Sequence, residues 1–211
     1  MITPFYLANK NRLTEVILTV ANRDNNTTNG ANNFWMLIDK VGNANQLYVT
    51  KISVDNLSKT ILICLGLFTI IMFIKKYYKY FTHKYTLPLE CTLNLTLILN
   101  TIYFYFGTKM HSRYLHIGLV CSFFLLIFPS YFKNTKYITS IALLNLGYFI
   151  NQITTYNGDP KNIQPAWIGQ ILQPLSNLFL NQLSSVFIML SLLLLLIDLY
   201  SRKVDFTKSL T

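Results

Sequence analysis

An acidic residue inside an apolar run is the side chain in this sequence that is best suited to carry chemistry. Glu90 lies in the run Thr86–Phe106 and is the acidic residue that falls inside a well-defined apolar run. A carboxyl group inside a membrane can relay protons. The same position suits a structural role, because a helix N-terminus and headgroup cations both favour an anion. We expect the structural role and keep proton relay by Glu90 as the alternative.

A basic and aromatic segment, Lys75–Lys84, offers a second kind of chemistry, the binding of anionic headgroups. Cations are attracted to anionic lipid surfaces, and tyrosine is enriched at the membrane interface. The pattern predicts an interfacial segment that either binds a discrete phospholipid, such as cardiolipin, or only anchors the chain. The residues predicted to bind lipid are Lys75, Lys76, Lys79, Tyr77 and Tyr78.

A stripe of polar side chains recurs at helical spacing near the end of the chain. It consists of Gln173, Asn177, Asn181 and Ser184. Such a stripe can line a hydrated path or bind a neighbouring helix. We expect hydrogen bonds to a neighbouring helix, the commoner use of polar residues between membrane helices.

The remaining titratable residues match no catalytic, cofactor or metal motif. His83 and His111 fall in predicted loops, whereas His116 begins an apolar run, so no two imidazoles lie at matching depth for a haem. The three cysteines include no CxxC pair and indicate neither a disulfide framework nor a zinc site. Nucleophile, phosphate-loop and dinucleotide motifs are also missing from the sequence. We expect no cofactor and no catalytic residues of the chain's own, which still allows a part in a multi-subunit enzyme.

The elements that must position these residues are long apolar runs separated by short polar or basic breaks. A membrane helix needs about 20 mostly apolar residues, because its backbone groups must be satisfied within the segment. The sequence therefore predicts an all-α, polytopic membrane protein with about five transmembrane helices and a polar N-terminal segment. The runs are Thr60–Ile74, Thr86–Phe106, Leu115–Phe132, Tyr137–Ile153 and Ile171–Leu199.

The runs divide the chain into three parts. Residues 1–56 form the polar N-terminal segment, which faces water and is expected to dock on partners, with disorder as the alternative. Residues 57–200 form the transmembrane helical domain, and residues 201–211 form a basic tail. The odd number of spans predicts that the two termini lie on opposite sides of the membrane. Lysine and arginine concentrate in the breaks on one side, so the positive-inside rule predicts that the C-terminus faces the cytoplasm or matrix and the N-terminal segment faces outward.

Composition agrees with a membrane protein and not with a nucleic-acid-binding protein. Hydrophobic residues make up 52% of the chain, yet its formal net charge is +10 at pH 7. The basic residues are spread between apolar runs and form no continuous stripe, so nucleic acid is not an expected partner. Loops that face anionic headgroups explain the charge better.

Residue choice is biased towards Phe, Tyr, Ile, Asn and Lys, with few Ala, Gly and Arg. The start of the chain has neither a secretory signal nor an amphipathic presequence. In both respects the chain resembles the divergent mitochondrially encoded membrane subunits of ciliates and similar protists. The resemblance implies a multi-pass, non-catalytic subunit of a respiratory-chain or ATP synthase complex in the mitochondrial inner membrane. Its partners would be other membrane subunits and phospholipid, and a bacterial inner membrane is the alternative location.

A second resemblance is local. Glu90, Asn94 and Leu95 are similar to the glutamate-containing helix of the small antiporter-like subunits of respiratory complex I. That family's pattern also requires a second carboxylate in the following span, and the run Leu115–Phe132 has none. The alternative function is therefore a proton- or solute-conducting membrane protein that uses Glu90 and the polar stripe.

Overall fold

The computed structural model describes residues 28–29, 31–38, 43–78, 80, 88–108, 110–157 and 177–201. Within these ranges the chain is mostly helical, which confirms the all-α prediction. The helices are α1 (Phe34–Leu37), α2 (Val54–Lys76), α3 (Leu89–Phe106), α4 (His116–Leu125), α5 (Pro129–Phe132), α6 (Thr135–Asn157) and α7 (Asn177–Ser201). A 3₁₀ turn, Ser112–Leu115, leads into α4.

The strands are only two residues long. β1 (Thr28–Asn29) pairs in parallel with β4 (Met110–His111), with Thr28 opposite Met110. β2 (Tyr48–Val49) and β3 (Ile52–Ser53) form an antiparallel hairpin whose turn holds Thr50 at φ 60°.

Helix α2 is longer than the apolar run Thr60–Ile74 on which it was predicted. Ser53 caps its N-terminus by accepting a hydrogen bond from the Asn56 amide, and Asp55 lies in the first turn. Both features stabilise a helix start, so the polar residues before Thr60 continue the helix. At 1.5 Å per residue its 23 residues extend for about 35 Å, enough to cross a hydrocarbon core of about 30 Å.

The longer elements form five segments, each antiparallel to the next: α2, α3, α4 with α5, α6 and α7. The Ser58 hydroxyl, at the start of α2, donates to the carbonyl of Phe106, at the end of α3, over 2.7 Å. The Lys76 ammonium, at the end of α2, donates to the carbonyl of Leu199, near the end of α7. We call these two ends of the bundle the Trp35 end and the Lys76 end, after the residues that lie there.

The α6–α7 contact is built on small residues at a seven-residue spacing. The hydroxyls of Ser140 on α6 and Ser191 on α7 are 3.0 Å apart, and the Ser184 hydroxyl donates to the Gly147 carbonyl over 2.7 Å. A heptad spacing is typical of helices that cross at a shallow angle, and small residues let the two backbones come close. This pair makes the most extensive helix–helix contact of the described residues.

Two helices of the described residues are long and apolar enough to cross a membrane, Val54–Lys76 and Phe179–Ser201. They coincide with the first and last predicted spans. The three middle segments do not reach the same limits of length and hydropathy within the described ranges, and α4 with its 3₁₀ turn counts as a shorter apolar helix. The prediction of about five spans is therefore supported for two of them by length and composition.

Candidate functional site

The predicted lipid-binding residues lie where α2 ends, and they divide into an exposed and an inward-facing set. Lys75 and Tyr78 are exposed. Lys76 is half-buried against α7, with its ammonium 5.8 Å from the centre of the Tyr77 ring. Tyr77 itself is buried, and Lys79 lies outside the described residues.

Tyr77 is buried because it belongs to an aromatic cluster in the bundle. Its ring centre lies 4.7 Å from that of Phe73 and 6.1 Å from that of Tyr80. Sequence alone places all the tyrosines of the segment at the headgroups, since it cannot show which face of the helix end turns inwards. Of the described tyrosines in this segment, Tyr78 is the one placed to contact an interface.

The chemistry of this end of the bundle is the attraction of anions. An ammonium group has three donors, and one donor of Lys76 bonds the Leu199 carbonyl. The carbonyl ends of helices favour cations, which explains why Lys75 and Lys76 occupy the last turn of α2. These lysines can hold a phosphate oxygen by charge.

Glu90 is the second residue of α3, in its first turn, and is half-buried. This position lets the helix dipole stabilise the carboxylate. One turn further on, Asn94 is buried, and its side-chain oxygen has no hydrogen-bond partner among the described residues. Within those residues, no three His, Cys, Asp or Glu side chains are grouped to hold a metal ion.

The polar stripe is only partly described. Ser184 contacts a neighbouring helix through its bond to Gly147, while Asn181 is half-buried and its side-chain oxygen has no partner among the described residues. Asn177 begins α7, and Gln173 lies outside the described residues. Ser184 thus makes a helix–helix contact.

The structure adds a polar network at the Trp35 end that sequence reasoning did not find. Trp35 is fully buried, and its indole N–H donates to the Phe106 carbonyl over 2.9 Å. The side-chain amide of Asn33 donates to the Gly107 carbonyl over 2.9 Å. The Ser185 hydroxyl, on α7, donates to the backbone carbonyl of Asn33 over the same distance. The first two bonds satisfy carbonyls that the end of α3 leaves without helical partners, and the third ties Asn33 to α7.

The network continues to the start of α2 and the end of α6. Thr108 donates to the buried carboxylate of Asp55 over 2.9 Å, and Lys59 lies 2.6 Å from the other oxygen. The Asn32 amide donates to the Thr154 hydroxyl over 3.0 Å. The described part of the N-terminal segment therefore packs on the chain's own helices, while its docking on partners stays a prediction. The sequence does contain one local sign of this network, an asparagine that caps α1: the Asn33 side chain accepts a hydrogen bond from the Trp35 backbone amide. The distant partners of the network have no such local sign.

The fold and these contacts define an all-α bundle that is closed at one end by its N-terminal segment and is basic at the other. Comparisons with protein-family models, with curated proteins and with solved structures give no match. The function is therefore argued from the contacts, exposure and charge described above.

Proposed function

We propose that this chain is a non-catalytic integral subunit of a large inner-membrane complex, either of the respiratory chain or of ATP synthase. Its role is to scaffold neighbouring subunits and to bind lipid. The observation that carries the proposal is the placement of large apolar side chains on the outer surface, together with hydroxyl and amide groups inside.

The outer surface supports a membrane setting. Exposed large apolar side chains occur on α2, α4, α6 and α7, for example Ile71 at 61%, Phe124 at 54%, Phe149 at 53% and Leu193 at 48%. Monomeric soluble proteins rarely expose contiguous apolar patches of more than a few hundred Å². Lipid tails and apolar faces of other subunits are the natural neighbours of such a surface.

The interior supports the same setting. Ser140, Ser184, Ser185 and Ser191 are fully buried at contacts of α7. In a bilayer, where burial of apolar area does not drive helix association, small residues and interhelical hydrogen bonds hold helices together. The α6–α7 pair uses both.

Five crossings are part of the proposal. Besides α2 and α7, the 18 residues of α3 extend for about 27 Å at 1.5 Å per residue, close to the hydrocarbon thickness. The apolar exposure of Phe124 and Phe149 argues that α4 and α6 also face lipid or subunits. The composition of the chain supports the mitochondrial inner membrane, with a bacterial inner membrane as the alternative.

Membrane extraction followed by native gel electrophoresis tests this function. We expect the chain to resist extraction with alkaline carbonate and, after mild detergent, to migrate with a complex many times its own mass of 24.5 kDa. Mass spectrometry of that band identifies the partner subunits. Migration alone or as a small homo-oligomer would contradict the scaffolding role.

The second candidate function, conduction of protons or a solute, has one observation in its favour. Asn94, whose buried side-chain oxygen has no described partner, lies one turn from Glu90 on α3. In a conduction mechanism the Glu90 carboxyl group would carry the proton, and the Asn94 oxygen could accept a hydrogen bond. Glu90→Gln separates the two functions: for a scaffold, turnover and proton translocation of the host complex stay largely intact. Loss of translocation in a normally assembled complex would favour conduction.

A further inference from the structure

An apolar groove lies between α2 and α7, next to the last turn of α2, which holds Lys75 and Lys76. Its volume is about 270 Å³. We propose that it holds an acyl chain of an anionic phospholipid whose phosphate lies at Lys75 and Lys76. This inference rests on the membrane setting of the proposed function and names the ligand and its position. The main lining residues are Phe68, Met72, Leu193, Leu196, Ile197 and Tyr200.

The groove follows from how little α2 packs on the bundle. The buried residues of α2 are Val54, Asp55 and Ser58 near its start and then Thr69 and Phe73. In the second half of the helix, Phe68 and Met72 lie one turn apart beside that narrow buried face and form one wall. Leu193, Ile197 and Tyr200 recur at helical spacing on α7 and form the other wall, and no described side chain fills the space between.

Beyond the apolar walls of the groove, the next turn of α2 is basic. Lys75 and Lys76 follow Met72 by three and four residues, so they continue the α2 wall by one turn. The Lys76 ammonium contacts the carbonyl of Leu199, which itself lines the groove. An acyl chain beside the walls would therefore have its phosphate within reach of two cations.

One carboxylate of the described residues lies near this end of the groove, and the two lysines, Lys75 and Lys76, outnumber it. Asp198 precedes Leu199 on α7, but it is buried and accepts a hydrogen bond from Asn134 over 2.6 Å. Tyr78 and Tyr200, both exposed, are side chains that favour the headgroup layer. Charge and interface preference agree at this end of the groove.

A phospholipid fits this groove better than a helix of a partner subunit. The α7 wall runs from Leu193 to Tyr200, about 10 Å at 1.5 Å per residue, which is a third of a transmembrane helix. A short apolar slot beside two ammonium groups matches a chain with an anionic head. A partner helix is the competing occupant in the test below.

The first experiment uses the unaltered protein in its host complex, in native membranes. Photo-crosslinkable phosphatidylglycerol, with a diazirine placed near the middle of one acyl chain, is incorporated and activated, and crosslinked peptides are identified by mass spectrometry. We expect crosslinks to concentrate on the groove residues of α2 and α7. Crosslinks distributed evenly over all exposed apolar faces, or crosslinks of the groove to a partner subunit's peptide, would overturn the proposal.

The second experiment measures phospholipid retained after detergent extraction by native mass spectrometry, with matched variants. Lys75→Gln should lower retention about fivefold, the effect of losing one cation near an anionic lipid. Lys133→Gln removes an exposed lysine that follows α5, on neither of the two helices that form the groove, and should leave retention unchanged. Met72→Trp should displace the acyl chain, whereas Ile71→Trp, at the same depth on the outer face, should not.

The outcomes separate this inference from the proposed function. Equal retention in Met72→Trp and Ile71→Trp, with the chain still embedded in its complex, would refute the lipid site and leave the scaffold intact. Release of the chain by carbonate would refute both. If Met72→Trp fails to accumulate, the crosslinks and the two lysine variants still decide the matter.

Discussion

At the Trp35 end, hydrogen bonds from single side chains join the ends of several segments and close the bundle. The Phe106 carbonyl accepts from the Trp35 indole and from the Ser58 hydroxyl, so the end of α3 is tied to two other segments. Buried carbonyls without partners are costly, and the end of α3 would otherwise present several of them. Loss of one donor should therefore weaken the closure without abolishing it.

Trp35→Phe tests the closure at the level of one hydrogen bond. The change removes the indole N–H while Ser58 still serves the Phe106 carbonyl, so we expect a loss of about 1 to 2 kcal/mol in the free energy of unfolding. Thermal unfolding in detergent measures it. Tyr48→Phe, at an exposed position, is the control and should change nothing. An unchanged stability in Trp35→Phe would contradict the role given to this bond.

A single glycine sets the distance between α6 and α7. A Cβ atom at Gly147 would lie 2.8 Å from Ile188 and 3.0 Å from the Ser184 carbonyl, closer than side chains pack. Gly147→Ala should therefore destabilise the chain by about 1 to 3 kcal/mol through overpacking.

Gly66 supplies a matched control on α2. A Cβ atom there would meet nothing within 4 Å, so Gly66→Ala should be neutral or stabilise by about 0.5 to 1 kcal/mol through helix propensity. Both variants are compared by thermal unfolding in the same detergent. If Gly147→Ala and Gly66→Ala changed the stability equally, close packing of α6 on α7 would not be the cause of the loss at Gly147.

At the scale of elements, α2 has the most exposed apolar surface and Cys64 reports on what covers it. Cys64 is exposed on α2, whereas Cys91 and Cys121 are buried. A thiol must ionise in water to react quickly. If α2 faces lipid, a membrane-impermeant maleimide should leave Cys64 unlabelled in intact and in opened membranes alike.

Of the three cysteines, we expect only Cys64 to become reactive towards maleimide when detergent solubilises the protein. A detergent that strips lipid from α2 should let a small permeant maleimide reach Cys64, while Cys91 and Cys121 react only after unfolding. Labelled peptides are counted by mass spectrometry. Rapid labelling of Cys64 in intact membranes by the impermeant reagent would contradict a transmembrane α2.

The sequence predicted that the helices exist better than it predicted where they begin and end. Long apolar runs identified α2, α3, α6 and α7, because a run of that length leaves few alternatives to a helix. The start of α2 at Val54 was missed, since it depends on a serine cap and on polar residues that continue the helix. The break between α4 and α5 within Leu115–Phe132 was also missed, although Pro129 begins the second helix and signals it.

The candidate sites were less predictable than the helices for a physical reason. Lys75 and Tyr78 are exposed, but the burial of Tyr77 depends on Phe73 and Tyr80 facing the same side of a helix end. The network at the Trp35 end joins residues far apart in sequence, and no local pattern encodes such pairs. The groove arises from side chains on two helices that only the fold brings together.

At the scale of the whole molecule, five antiparallel segments put the two described extremities at opposite ends of the bundle. We expect Asn45→Cys and Ser201→Cys, both at exposed positions, to react with an impermeant maleimide from opposite sides of the membrane. Sealed vesicles of both orientations measure it, with the native cysteines serving as background. Labelling of both positions from one side would contradict five crossings.

The closure of the Trp35 end sets an order of events during synthesis. Asn33 is held by Ser185, 152 residues further along the chain, and Asn32 by Thr154, 122 residues further along. At 5 to 20 residues per second, the ribosome needs about 8 to 30 s to deliver Ser185 after Asn33 has emerged. During that interval the N-terminal segment lacks the hydrogen bond from Ser185. A translation product that stops before α7 therefore lacks the hydrogen bond by which Ser185 holds Asn33.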